Sequence, residues 1–238
     1  MEKVILPSII QIKTQLLDFQ KAYPNISIIK ETEEEIRLKG DFLLHKECCD
    51  YQILENYEIE IVIPLGVQQF PYVIDVNGYI DPSYRHYYPK TKILCLETDV
   101  RFMVDFVGGF DLLFWMRNYV EAYFFTYEYY MRFDEFPYGE RQHGLVGVLE
   151  AYQEILDVKS TQEAYDFMHY ISTNPYRGHL CCPCNSGKKI RICHGDKMLR
   201  FYNSQQLNKL IKKDFEKITE ALRISDANKD KTKRRYGS

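Results

Sequence analysis

Thirteen residues of the chain, Cys182-Pro-Cys184-Asn-Ser-Gly-Lys-Lys-Ile-Arg-Ile-Cys193-His194, hold three thiols and an imidazole. Tetrahedral zinc takes such a set, with Zn–S near about 2.3 Å and Zn–N near about 2.0 Å. Pro183 and Ser186-Gly187 supply the turns that would aim two nearly adjacent cysteines at one ion, and Lys188, Lys189 and Arg191 offset the charge of three thiolates. Four protein ligands (Cys182, Cys184, Cys193 and His194) close the site, which predicts a structural or recognition role rather than catalysis. Cys181 is left over as a neighbour, with a register swap onto the place of Cys182 as the alternative. The competing reading is a set of buried thiols that never meets metal.

A second thiol stands apart. Cys95 lies in Lys92-Ile-Leu-Cys-Leu-Glu97, directly after a stretch carrying Arg85-His86 and Pro89. A cysteine in a short apolar run is by default an inert core thiol. The functional alternative comes from its place, after a run of strands and an irregular loop and before a series of helices. Cys48-Cys49 reads as ordinary packing at a strand edge. Seven cysteines, an odd number, and a first stretch, MEKVILPSIIQIKTQ, that lacks a secretory pattern both argue against a disulfide framework.

The elements that must position these groups follow from periodicity. From Leu6 to Tyr23, Ile9, Ile12, Leu16 and Phe19 recur at helical spacing before Pro24-Asn25 stops the helix. From Ile26 to Pro64 the period is two, clearest at Tyr57, Ile59, Ile61 and Ile63, which predicts two or three antiparallel strands. A further strand, Tyr72 to Val76, ends at Asn77-Gly78. Pro82 and Pro89 then predict an irregular loop leading into Ile93-Leu94-Cys95-Leu96.

Apolar residues from Phe110 to Phe133 cover most of a helix circumference and predict a buried central helix, with some of the aromatic run from Tyr123 left exposed. The segment Phe136-Pro-Tyr-Gly-Glu-Arg-Gln-His-Gly144 breaks it. Helices follow from Leu145 to Leu156 and from Thr161 to Ile171. The last helix carries Leu207, Ile211, Phe215, Ile218 and Leu222 on one stripe, before a polar end. This order predicts an α+β fold, an antiparallel meander sheet flanked by helices with a small zinc-binding motif and helix at the C-terminal side. The expected divisions are 1–175, 176–202 and 203–238.

Composition sets outer bounds. The 238 residues are 45% hydrophobic and 15% aromatic, with 20 Tyr and 14 Phe, which excludes a disordered chain. The net charge of −3 hides a split, −12 over residues 1–187 and +9 over 188–238. The basic end could meet nucleic acid, a membrane surface or an acidic partner, or serve only as a solvated end. No apolar run of membrane-spanning length occurs, and a cytoplasmic location is expected.

Residues 182 to 194 resemble the SEC-C motif of the SecA translocation ATPase tail, C-x-C-x8-C-H, at every ligand position. Residues 1 to about 170 resemble the ubiquitin-conjugating enzyme fold and its bacterial relatives. The features that match are the opening helix, the meander, Phe70-Pro71, the segment Arg85-His-Tyr-Tyr-Pro-Lys-Thr-Lys-Ile-Leu-Cys-Leu96 and Gly139-Glu-Arg-Gln-His-Gly144. The resemblance implies that Cys95 forms a thioester with a protein C-terminus. Such a thiol titrates near pH 8.5 and exchanges acyl groups with little activation.

Where the eukaryotic pattern places an Asn as oxyanion donor, Tyr87 and Tyr88 stand here. His86 and His143 become candidate catalytic groups, since an imidazole both donates and accepts near neutral pH. The alternatives are that His86 holds the loop and His143 caps the helix break. Tyr88, Glu97 and Asp99 are further candidates to orient an amine.

Three readings follow. The first is a bacterial ubiquitin-conjugating-like enzyme, in a setting such as a CBASS-like antiphage operon, whose implied cargo is the C-terminus of a ubiquitin-like protein or a nucleotidyltransferase. With no glycine-rich phosphate loop in the chain, activation falls to a separate enzyme, and a protein target receives the cargo. The second is a conjugation-inactive adaptor of the same fold. The third is a binding module whose zinc motif and basic end dock to a protein or nucleic acid.

Overall fold

The structure, a computed structural model, describes residues 9–48, 50–65 and 69–236, and for 226–236 the backbone alone. The beginning of the expected opening helix, Cys49 and the final Gly237-Ser238 lie outside the described residues. The chain divides into two compact units, 1–141 and 142–238. This division falls earlier than the expected boundary at residue 175, because the two helices after Gly144 pack with the C-terminal helices.

The first unit opens with α1 (Ile9–Ala22), which buries Ile12, Leu16 and Phe19. Three long strands follow as a meander: β1 (Ile26–Glu31), β2 (Glu35–Cys48) and β3 (Tyr51–Pro64). β2 and β3 pair without interruption from Glu35↔Pro64 to Cys48↔Tyr51. The period-two pattern is visible in burial: Ile36, Leu38, Phe42 and Leu44 on β2, and Tyr57, Ile59, Ile61 and Ile63 on β3, all face the core. Gly40 faces Ile26 across the β1–β2 pairing, where a Cβ would stand 1.9 Å from the Asn25 carbonyl oxygen, so no other residue fits.

β4 (Tyr72–Asp75) begins just after Phe70-Pro71 rather than carrying them. The loop beyond it is more regular than its two prolines suggest. Tyr87–Tyr88 (β5) and Ile93–Leu94 (β6) form a short antiparallel pair, and β6 joins β4, so the sheet order is β1-β2-β3-β4-β6-β5. Pro89 sits in the turn of this pair, where its missing N–H costs nothing.

A short helix not legible in the periodicity, α2 (Asp99–Asp105), buries Val100, Phe102 and Met103. The central helix runs over 112–133 as α3 (Leu112–Trp115), a π-helical turn (Met116–Val120) and α4 (Glu121–Phe133). Its start is fixed by Gln15, whose amide donates to the Phe110 carbonyl at 2.7 Å and accepts from the Leu112 N–H at 2.6 Å. Phe124 packs against Phe42 and Tyr57, with centroids 5.4 and 4.3 Å apart. Met131 and Phe133, at the far end of α4, are exposed.

The second unit contains α5 (Gly144–Leu156), α6 (Thr161–Thr173), a cysteine-rich segment, α7 (Gly195–Asn203) and α8 (Gln205–Tyr236). α6 starts at Ser160, whose hydroxyl accepts from the Glu163 N–H at 3.2 Å, while Glu163 accepts from the Lys159 N–H. α8 buries Leu207, Leu210, Ile211 and Ile218, whereas Leu222 is exposed, so the stripe meets its unit only over the first half of the helix. The helical backbone continues through the polar end to Tyr236. None of the described helices is long and apolar enough to cross a membrane.

Candidate functional site

In the first unit, Cys95 follows β6 directly, and its N–H donates to the His86 carbonyl at 2.9 Å, one residue before β5. The same carbonyl accepts from the Tyr123 hydroxyl of α4 at 2.9 Å. The His86 ring lies between Tyr84 and Phe136, 5.7 and 5.8 Å away by centroids, and a ring nitrogen falls within 4.8 Å of the Cys95 sulfur. The backbone carbonyl of His86 thus holds the loop, while its ring stands beside the thiol.

Both flanks of Cys95 are gripped by one segment. Arg85 pairs with Glu140 at 3.0 Å, and Glu97 pairs with Arg141 at 3.3 Å while also accepting from the Thr98 N–H at 2.8 Å. Glu140 and Arg141 therefore tie down the residue before His86 and the second residue after Cys95. His143 belongs to the second unit, where it is exposed and flanks the start of α5 without capping it through its side chain.

Asp75 is fully buried at the end of β4, and its carboxylate accepts from the N–H groups of Gly78, Tyr79 and Ile80 at 2.9–3.0 Å. Its own N–H donates to the Lys92 carbonyl, just before β6. The Asp75 side chain thus folds the turn after β4, while its backbone N–H anchors the strand that precedes Cys95. Tyr127 continues the hold, donating to the Tyr79 carbonyl and accepting from the Asp81 N–H.

The Cys95 thiol is half-buried, and burial pushes its titration up, with Glu97 adding to the effect and a hydrogen bond from Tyr88 opposing it. Tyr88 is exposed, and its hydroxyl donates to the sulfur at 3.9 Å. Asp99, the first residue of α2, acts through its charge on the Tyr88 hydroxyl, whose titration it helps to raise.

In the second unit, one donor atom each from Cys182, Cys184, Cys193 and His194 lie within 4.8 Å of one another. The Cys184 and Cys193 sulfurs are 3.5 Å apart, and His194 Nδ1 stands 3.3 Å from Cys182 and 3.2 Å from Cys193. Four donors on a tetrahedron about zinc would stand roughly 3.5–3.8 Å apart, so the set can hold an ion after small adjustment.

The local chain makes this possible. Asn185 and Gly187 adopt positive φ, the Cys182 N–H donates to the Lys188 carbonyl, and Cys193 follows a 3-10 turn (Ile190–Ile192). Gly195 follows the cluster because a Cβ there would meet the Ile190 carbonyl oxygen at 2.8 Å. His194 Nε2 faces the Asp157 carbonyl at 3.3 Å; donating there leaves Nδ1 as the lone pair turned toward the thiols, the orientation that metal-bound histidines take.

Burial pushes the Cys182 thiol up, whereas the Ser186 hydroxyl and neighbouring thiols draw Cys184 down against its own desolvation. Cys181 is exposed and pairs through its backbone with Lys189 as an isolated bridge. Its side chain is not in the cluster.

Comparison with protein-family models, with curated proteins and with solved structures gave no match.

Proposed function

We propose that the first unit is a ubiquitin-conjugating-like acyl carrier, in which Cys95 accepts a protein C-terminus as a thioester and passes it to an amine. One observation carries this reading: the order α1, meander, loop, Cys95 and helices brings His86, Tyr88 and Cys95 together on a loop pinned from three sides, with the thiol open to a partner. Attack by the Cys95 thiolate on a donor thioester forms one C–S bond and breaks another, and the donor thiol leaves. Attack by an amine then forms a C–N bond and releases the Cys95 thiolate, which takes up the proton lost by the amine directly or through water. Burial raises the Cys95 thiol, so the attacking thiolate is the minor form and transfer should quicken as pH rises.

We propose further that Cys182, Cys184, Cys193 and His194 of the second unit would hold zinc, which would close the segment between α6 and α7; with all four positions filled by protein its role would be structural.

The test is co-expression of the protein with the products of the genes adjacent to its own, followed by non-reducing electrophoresis. A heavier band that disappears with excess thiol and in Cys95→Ala supports the carrier. A band-free result with an activating partner present would sink it and favour the conjugation-inactive adaptor.

A further inference from the structure

Among the side chains around Cys95, Tyr88 is distinctive. Tyr84 and Tyr123 are buried within the aromatic cluster, whereas Tyr88 is 55% exposed and still directs its hydroxyl at the sulfur. Its strand, β5, is paired to β6 through Tyr88↔Ile93 and Tyr87↔Leu94, and Cys95 follows immediately. The hydroxyl and the sulfur are therefore carried on two arms of one short hairpin, whose backbone pairing keeps the two side chains within reach of each other. At 3.9 Å the contact is long for a hydroxyl donor, and the distance leaves room for an atom attached to the sulfur. A thioester places a carbonyl group there, and oxyanion donors act at about 2.7–3.1 Å from the oxygen that becomes charged.

We propose that the Tyr88 hydroxyl is a catalytic donor at Cys95, hydrogen-bonding the sulfur of the free thiol and then the carbonyl oxygen of an acyl group carried there. This rests on the acyl-carrier reading. As an amine attacks the thioester, its lone pair forms the C–N bond and the carbonyl π pair moves onto oxygen, where the Tyr88 O–H stabilises it. Collapse re-forms the C=O bond and expels the Cys95 thiolate, which receives the same hydroxyl, and the amine proton passes to the thiolate or to water. The charged and titratable neighbours include Glu97, whose charge opposes the thiolate, and His86, with a ring nitrogen within 4.8 Å of the sulfur, while Tyr84 and Tyr123 feel the charge of the thiol and the Tyr88 hydroxyl that of Asp99.

The experiment compares wild type and Tyr88→Phe, full length and zinc-loaded, after thermal melts confirm equal folding. Iodoacetamide alkylation of Cys95, followed by peptide mass spectrometry across pH, reports the donor on the sulfur. Acetylation of Cys95 by p-nitrophenyl acetate, then decay of the acetyl thioester in free lysine, reports the donor on the carbonyl oxygen.

The expected result is an alkylation profile displaced to higher pH in Tyr88→Phe and lysine-dependent decay slowed by about 10- to 100-fold, the lower range for one exposed oxyanion donor. An unchanged alkylation profile overturns the donor assignment whatever the fate of the carrier reading. A displaced profile with unchanged decay overturns the oxyanion role. Wild-type protein that is alkylated but never yields an acetyl thioester at Cys95 overturns the carrier reading itself, and the oxyanion role with it.

Discussion

Replacing Asp75 by Asn removes one charge and one acceptor from a position with no access to water. In the native protein one carboxylate oxygen accepts from Gly78 and Tyr79 and the other from Ile80. Hydrogen bonds to an ionised group contribute about 1.5–3 kcal/mol each, and a buried N–H left without a partner costs about 1–3 kcal/mol. The amide oxygen of Asn can keep the pair from Gly78 and Tyr79 in weaker, neutral form, but its NH₂ group then faces the Ile80 N–H, donor against donor. Relief from burying a charge offsets part of the loss. The net expectation is a destabilisation of about 2–4 kcal/mol, read as a lower urea midpoint with an unchanged slope. Because the Tyr87 hydroxyl of β5 also hydrogen-bonds this carboxylate, the same variant should loosen the β5–β6 hairpin and be alkylated faster at Cys95. A loss below about 0.5 kcal/mol would refute the reasoning, since it would fall under the least that one orphaned donor costs.

Cys184→Ser should lower bound zinc from about one per chain to near zero by elemental analysis, and a cobalt-substituted wild type should show thiolate charge-transfer absorption that the variant lacks. Gly40→Ala forces a Cβ onto the Asn25 carbonyl oxygen, so a loss of at least about 3 kcal/mol is expected in denaturant titration. Lys30 and Arg37 beside Glu35 hold its carboxyl down at about 2, with Arg37 the larger influence. Its contribution is therefore present above the ordinary carboxylate range and lost as pH falls from about 4.5 to about 2; for a surface pair it stays below about 1 kcal/mol. Glu35→Gln should flatten that acid limb while matching wild type near pH 2, as thermal melts across pH will read.

Elements whose signal is local were legible in the sequence. The alternation from Tyr57 to Ile63 became β3, and the apolar circumference from Phe110 to Phe133 became the central helix, because side-chain period and burial face are the same information. The Cys182, Cys184, Cys193 and His194 cluster, which could hold a metal ion, was legible for a related reason: its four donors lie within one short segment, so spacing alone brings them together. The hold on Cys95 was not. Asp75, Tyr123, Glu140 and Arg141 reach it across 20 to 46 residues of chain, and nothing in the local pattern of an Asp before Asn-Gly distinguishes a solvated turn residue from a buried acceptor of three N–H groups. The β5–β6 hairpin escaped notice because two-residue strands have no period to read and Pro89 argues for irregularity, although a proline in the turn leaves pairing on both sides intact.

These long-range contacts also explain how a loop with so little regular structure can present a thiol in a fixed setting. The His86 carbonyl is held by Tyr123 and Cys95 together, the turn after β4 by Asp75 and Tyr127, and the two flanks by Glu140 and Arg141. All of these act on backbone or on residues beside the thiol. Electrostatic stabilisation of an oxyanion depends on donors already in place when charge develops, since moving them during the reaction would cost what their hydrogen bonds return. A loop held at several points of its backbone and flanks meets that requirement, so variants of its supports, such as Tyr123→Phe, should change thiol reactivity by loosening its position, whereas Tyr88→Phe should change it by removing a donor from an otherwise unmoved site.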